Sequence, residues 1–174
     1  MTWAPTTSGW AMADMALSIR DAGPAGFPQV ERLIRMDLQY HAEHRPDLFH
    51  ADGFGYGWEE FERLLADPGR IALLAEVDGE TAGLCFGKVE DTPDNTVLKP
   101  VRIGAVEDLA VFPAFRRRGV ARTLLEEAKA RAGALGAGGL RLRVWQFNQG
   151  AAALYRSLGF EPQWSELEAD LREQ

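Results

Sequence analysis

Val106-Glu107-Asp108-Leu109-Ala110-Val111-Phe112-Pro113-Ala114-Phe115-Arg116-Arg117-Arg118-Gly119-Val120-Ala121 reads as a strand, a turn with three arginines and a helix that opens on glycine. That order builds an anion cradle. A helix start leaves about four backbone N–H groups without intrahelical partners, and the helix dipole adds roughly half a positive charge there. Gly119 has no Cβ, so a phosphate can approach the backbone. Guanidinium groups at Arg116, Arg117 and Arg118 add donors suited to phosphate. On spacing alone, the same arginines also describe a solvated turn. No G-x-x-x-x-G-K-S/T loop is present, and no G-x-G-x-x-G follows a strand.

Outward from this stretch, Leu17–Arg20 is a short strand candidate. Val30, Leu33, Ile34 and Leu38 trace a helical stripe that Arg45-Pro46 should end. Asp52-Gly53-Phe54-Gly55-Tyr56-Gly57-Trp58 alternates glycine with aromatics and reads as a loop or lid. A second helix over 58–66 turns Phe61, Leu64 and Leu65 inward. Ile71–Val77 and Thr81–Glu90 form a hairpin about Asp78-Gly79. Val101–Val111 is a long strand, and Val120–Ala132 a helix with Leu124, Leu125 and Ala128 inside. Leu140–Trp145 is a strand, Ala151–Leu158 a short helix ending at Gly159, and Ser165–Leu171 a candidate last strand. The order predicts a mixed α/β sheet with helices on both faces.

The 174-residue length favours one domain, placed at 17–174 after a flexible tail at 1–16. Apolar residues at 46% and charged residues at 26% give a globular balance. A formal charge of −7 argues against a nucleic-acid partner. No apolar run approaches the ~20 residues that span a bilayer, and the N-terminus lacks a signal-peptide pattern. The expected setting is therefore cytoplasmic, without membrane attachment. Cys85 is the sole cysteine, so it forms neither an intrachain disulfide nor a cysteine metal site. It lies in an apolar run, which predicts a buried, inert thiol. His41 and His44 lack a third ligand at metal spacing, so no metal is expected.

The same residues carry a resemblance. Arg116-Arg117-Arg118-Gly119-Val120-Ala121 is similar to the Gln/Arg-x-x-Gly-x-Gly/Ala signature of the GNAT acetyltransferase superfamily. Asn148-x-x-Ala151-x-x-Leu154-Tyr155-x-x-Leu158-Gly159-Phe160 resembles its second block, and the likeness spans about residues 17–171. The resemblance implies a mostly antiparallel sheet with strands 4 and 5 splayed apart. It implies acetyl-CoA as co-substrate, with the pantetheine arm pairing to Leu109, Ala110 and Val111 like an added strand. The pyrophosphate would sit on the turn from Arg116 through Gly119 and Val120 to Ala121. Transfer would go directly to a primary amine on a small molecule or a peptide. Dimers are frequent in the family, so a homodimer is a further expectation. A non-catalytic acyl-CoA sensor and a protein lysine or N-terminal acetyltransferase are the alternatives.

The reaction needs a neutral amine, an oxyanion donor and a proton for the departing thiolate. A thiol with pKa near 8.5 leaves with little acid help. Tyr155 aligns with the family's frequent acid tyrosine, or is a core residue of a short helix. Asn148 is a helix N-cap, or a ligand to the coenzyme arm, and the two roles are compatible. The Val111 amide is a candidate oxyanion donor. In a regular strand Glu107 shares parity with Leu109 and Val111, while Asp108 faces the other way. Glu107 is thus the candidate base or water relay, and Asp108 the candidate holder of a cationic substrate. Plain solubility charges are the alternative reading of both. Tyr40 and His41 belong to the region that roofs the family's acceptor pocket, and an aromatic, acidic rim suits a cationic amine.

Overall fold

The computed structural model describes residues 15–171. Fourteen residues of the expected N-terminal tail lie outside the described residues. Met15 and Ala16 are tied down: the Ala16 carbonyl accepts from the Asp78 amide, the Ala16 amide donates to Asp78 Oδ1, and Met15 packs on the core. Five strands form one sheet in the order β1-β2-β3-β4-β5: β1 Leu17–Asp21, β2 Arg70–Val77, β3 Glu80–Asp91, β4 Arg102–Val111 and β5 Leu140–Arg141. The first three pairings are antiparallel and β4–β5 is parallel. Helices α1 (Phe27–His44) and α2 (Trp58–Ala66) cover one face. Helix α3 (Val120–Ala134) covers the other, where α4 (Gln149–Ser157) also packs.

Alternation along β2 and β3 sorts the core. Ile71, Leu73, Ala75, Ala82 and Cys85 meet Leu124, Leu125 and Ala128 of α3. Leu74, Leu84 and Phe86 meet Val30, Leu33 and Ile34 of α1 and Phe61 of α2. The inward residues expected of α3 are fully buried, as the 3.6-residue period requires. Asp78 and Gly79 both take positive φ, 52° and 84°, as the two-residue hairpin demands.

Two strand expectations are corrected. β5 pairs only over Leu140–Arg141 rather than to Trp145, and Ser165–Leu171 forms no strand. Residues 161–171 are exposed throughout, so no ladder or packed face holds them in a sheet. The short β5 is what opens the site. Gly104 and Ala105 pair with Leu140 and Arg141, and beyond them β4 has no partner on that side among the described residues.

Candidate active site

The site grows from an irregularity in β4. Gly87 pairs with Val106 but Phe86 pairs with Asp108, so Glu107 is an inserted residue opposite no partner. This is a β-bulge, and Gly87 permits it. A Cβ at Gly87 would lie 2.4 Å from the Ala105 carbonyl oxygen, so only glycine lets β4 approach this closely. The bulge resets the alternation. Val106 packs on the α3 side together with Leu109 and Val111, a three-residue step that no regular strand allows.

The bulge overturns the regular-strand expectation for the two carboxylates. Glu107 does not follow Leu109 and Val111 but pairs with Arg70, which shares parity with Ala72 and Leu74 on the α1 side. Its side chain is 45% exposed. Asp108 takes the interior position on that same side and accepts a hydrogen bond from the Tyr56 hydroxyl. Burial, more than any neighbour, pushes the Asp108 carboxyl above its usual range, and Glu107 and Asp37 add to this. Tyr56 and Asp37 were absent from the sequence-derived site. The only signal for Tyr56 was its place in the glycine–aromatic loop.

Beyond the bulge β4 offers a free edge. Phe112 donates its amide to Ala82 of β3 at 2.9 Å. Alternation then turns the amides of Leu109 and Val111 toward the open side, and that of Ala110 toward β3. Arg116 Nε donates to the Val111 carbonyl at 3.0 Å, and its Nη2 lies 3.9 Å from Met36 Sδ. The Arg116 side chain therefore braces the turn. Arg118 lies over the Phe115 ring at 5.9 Å. Arg117 and Gly119 take left-handed backbone, with φ 62° and 84°. No side chain caps α3, and apart from the flanking Arg118 and Val120 no described residue lies within 4 Å of a Cβ placed at Gly119. The first-turn amides from Val120 and Ala121 onward thus face open space, the cradle a pyrophosphate needs.

On the α3 side, Asn148 caps α4 by accepting from the Ala151 amide at 3.1 Å. Replacing Asn148 with alanine should cost about 1 kcal/mol of folding stability, read as a lower urea midpoint at unchanged slope. Tyr155 packs among the core residues of that face, its ring 6.0 Å from Phe160. Burial pushes its phenol up to about 12. It therefore remains a proton donor at any working pH. Cys85 is fully buried, and burial likewise pushes its thiol up to about 12, which disfavours a nucleophilic thiolate.

The end of α1 closes the far side. Tyr40, His41 and His44 meet Phe147 with ring centroids 5.8, 5.9 and 4.6 Å apart, and Trp145 stacks on Phe147 at 5.9 Å. His41 Nδ1 lies 3.3 Å from the Asp37 carboxylate, whose hydrogen bond raises the imidazole pKa. Arg45 lies 5.3 Å from the Trp145 ring and binds Asp47 and Glu168. Among the described residues no helix is long and apolar enough to cross a membrane.

The Acetyltransferase (GNAT) family matches residues 33–160, which contain the splayed strands, the arginine turn and Tyr155. The chain belongs to the GNAT acetyltransferase family. It is a GNAT-type enzyme, an N-acyltransferase by class. It is 36% identical over 145 residues to the uncharacterized N-acetyltransferase YhfO of Bacillus subtilis, covering 83% of this chain and 90% of that one. A mutant of the BH1408 protein from Bacillus halodurans shares the GNAT fold at a TM-score of 0.83 and 24% identity, covering 88% of this chain and 99% of that one. The aminoglycoside N-acetyltransferase AAC(6')-Iy, solved with CoA, superposes at 0.68 with 18% identity over 91% and 96% of the two chains. GNAT enzymes use acetyl-CoA.

Proposed function

We propose that this GNAT enzyme transfers acetyl from acetyl-CoA directly to the primary amine of a small cationic molecule. The single observation that carries this reading is the pair of proton-handling groups on opposite faces of one open strand edge. Asp108 lies on the α1 side and Tyr155 on the α3 side. The free edge at Leu109 and Val111 and the uncapped α3 start with its glycine at positive φ suit an extended arm ending in a diphosphate. When bound, the coenzyme supplies a thioester carbonyl as acetyl donor.

The chain's residues do the rest. Asp108 accepts the proton that the ammonium gives up before attack, or that the adduct nitrogen gives up once the C–N bond has formed. The Val111 and Leu109 amides face the side where an oxyanion would develop. Tyr155 donates its phenolic proton to the sulfur as the C–S bond breaks. Its hydroxyl has no protein partner among the described residues. Glu107, held by Arg70, supplies negative charge at the rim rather than the base. The aromatic wall of Tyr40, His41, Phe147 and Trp145, with Asp37 beside His41, favours a cation. The aminoglycoside acetyltransferases among the fold's relatives act on acceptors of this kind.

Thiol release from acetyl-CoA across a panel of aminoglycosides, diamines and lysine peptides tests the reading. Preference for the small polycations is expected, and exclusive use of peptides would overturn the acceptor class. Tyr155→Phe should lower kcat by about ten- to a hundredfold at every working pH, because the phenol is never ionised there. Undiminished turnover would remove the acid assignment.

A further inference from the structure

We propose that Tyr56 is a positioning residue for acetyl transfer: its hydroxyl fixes Asp108 in place and holds that carboxylate ionised, ready to take a proton. This rests on the reading of Asp108 as proton acceptor. The geometry is specific. Tyr56 sits on the loop between α1 and α2, fifty-two residues before Asp108, and its hydroxyl donates to Asp108 Oδ2. The ring is held 6.1 Å from Phe86 of β3, and Tyr56 packs on the α1-side core. The backbone before it is pinned. A Cβ at Gly55 would lie 2.1 Å from Ile34 Cγ2, so the loop touches α1 as closely as glycine allows. The β4 bulge then turns Asp108, and not Glu107, toward that hydroxyl.

The surroundings make the bond necessary. Asp108 is buried, and Glu107 on β4 and Asp37 on α1 both oppose its charge. Arg70 of β2 favours it, but that guanidinium is engaged by Glu107. The Cys85 thiol of β3 is neutral and offers no help. Tyr56 is the one direct hydrogen-bond donor to the carboxylate among the described residues. Burial and the facing carboxylates hold the Tyr56 phenol well above its usual range, so it stays a donor. Removing it leaves the carboxylate unsupported, and a carboxylate without its donor takes up a proton at higher pH.

The test is a titration of the whole chain carrying 13C-labelled aspartate, with Asp108 assigned by its loss in Asp108→Asn. Tyr56→Phe should raise the Asp108 midpoint by about one pH unit, the shift set by one hydrogen bond to a charged group. Acetyl-CoA affinity by calorimetry should not change, because Tyr56 bonds to Asp108 and packs on Phe86, with no hydrogen bond or ring contact to residues 116–121 among the described residues. Gly55→Ala, which displaces the loop and keeps the phenol, should raise the midpoint in the same direction. An unmoved midpoint in Tyr56→Phe overturns the proposal and leaves the role of Asp108 standing. Wild-type turnover by Asp108→Asn, with spermidine or kanamycin as acceptor, overturns both.

Discussion

Asp108→Asn should lower kcat/KM for acetyl transfer by about a hundredfold to ten-thousandfold, the range set by loss of a general base. The substitution is nearly isosteric, and the asparagine oxygen still accepts from the Tyr56 hydroxyl. The loop and the bulge are therefore retained, and only the negative charge and its proton affinity are lost. Burial lifts the wild-type carboxyl, which moves it toward the pH at which an amine is acetylated. The rate must then fall as pH drops through that raised midpoint, because the protonated carboxyl can accept nothing. In the variant this acidic limb should vanish along with most of the activity. The corresponding change at Glu107 should be far milder, since its side chain is half-exposed and bound to Arg70. Steady-state thiol release over a pH series checks both. Turnover within about twofold of wild type in Asp108→Asn would remove the carboxylate from the mechanism.

Gly119→Val should weaken acetyl-CoA binding by about a hundredfold, the equivalent of about 3 kcal/mol of hydrogen bonds to charged groups. Two effects act together. Gly119 sits at φ 84°, a left-handed conformation that a β-branched residue adopts only under strain. The new side chain also stands in the open space before the first-turn amides of α3, where a diphosphate must approach. Apart from the flanking Arg118 and Val120, no described residue lies within 4 Å of its Cβ, so the Cβ itself displaces no side chain of the fold. Isothermal calorimetry with acetyl-CoA reads the loss, and Gly119→Ala should show a smaller one. Undiminished affinity in the valine variant would mean that the diphosphate is held elsewhere. Arg116→Ala is a less clean probe, because that guanidinium is committed to the Val111 carbonyl and to Met36.

Much of this was legible in the chain itself. The apolar stripes of α1 and α3 repeat every three to four residues, and their buried residues are those the period selects. Asp78-Gly79 dictated a hairpin, because few other residues tolerate its angles, and Gly119 marked a helix start. Asn148 announced its own cap. These are local matters, settled within a few residues by sterics and hydrogen bonding.

Which carboxylate enters the interior was a different kind of question. Parity along a strand is read by counting, and one inserted residue at Glu107 reverses every count after it. Gly87 held the clue, yet a glycine in a strand signals either a bulge or mere weakness until the opposing backbone is seen. Tyr56 lay beyond any local pattern, since its partner is fifty-two residues away and only the packing of the α1–α2 loop on β3 joins them. The length of β5 was likewise decided by pairing, as Leu142 and Val144 carry strand propensity without a neighbouring strand among the described residues. The sequence by itself determined the helices, the turns and the glycine that opens α3, because short-range geometry leaves those residues little choice. The tertiary structure alone decided the opening between β4 and β5 and the charge that faces it, because ladder register and burial are properties of distant segments in contact.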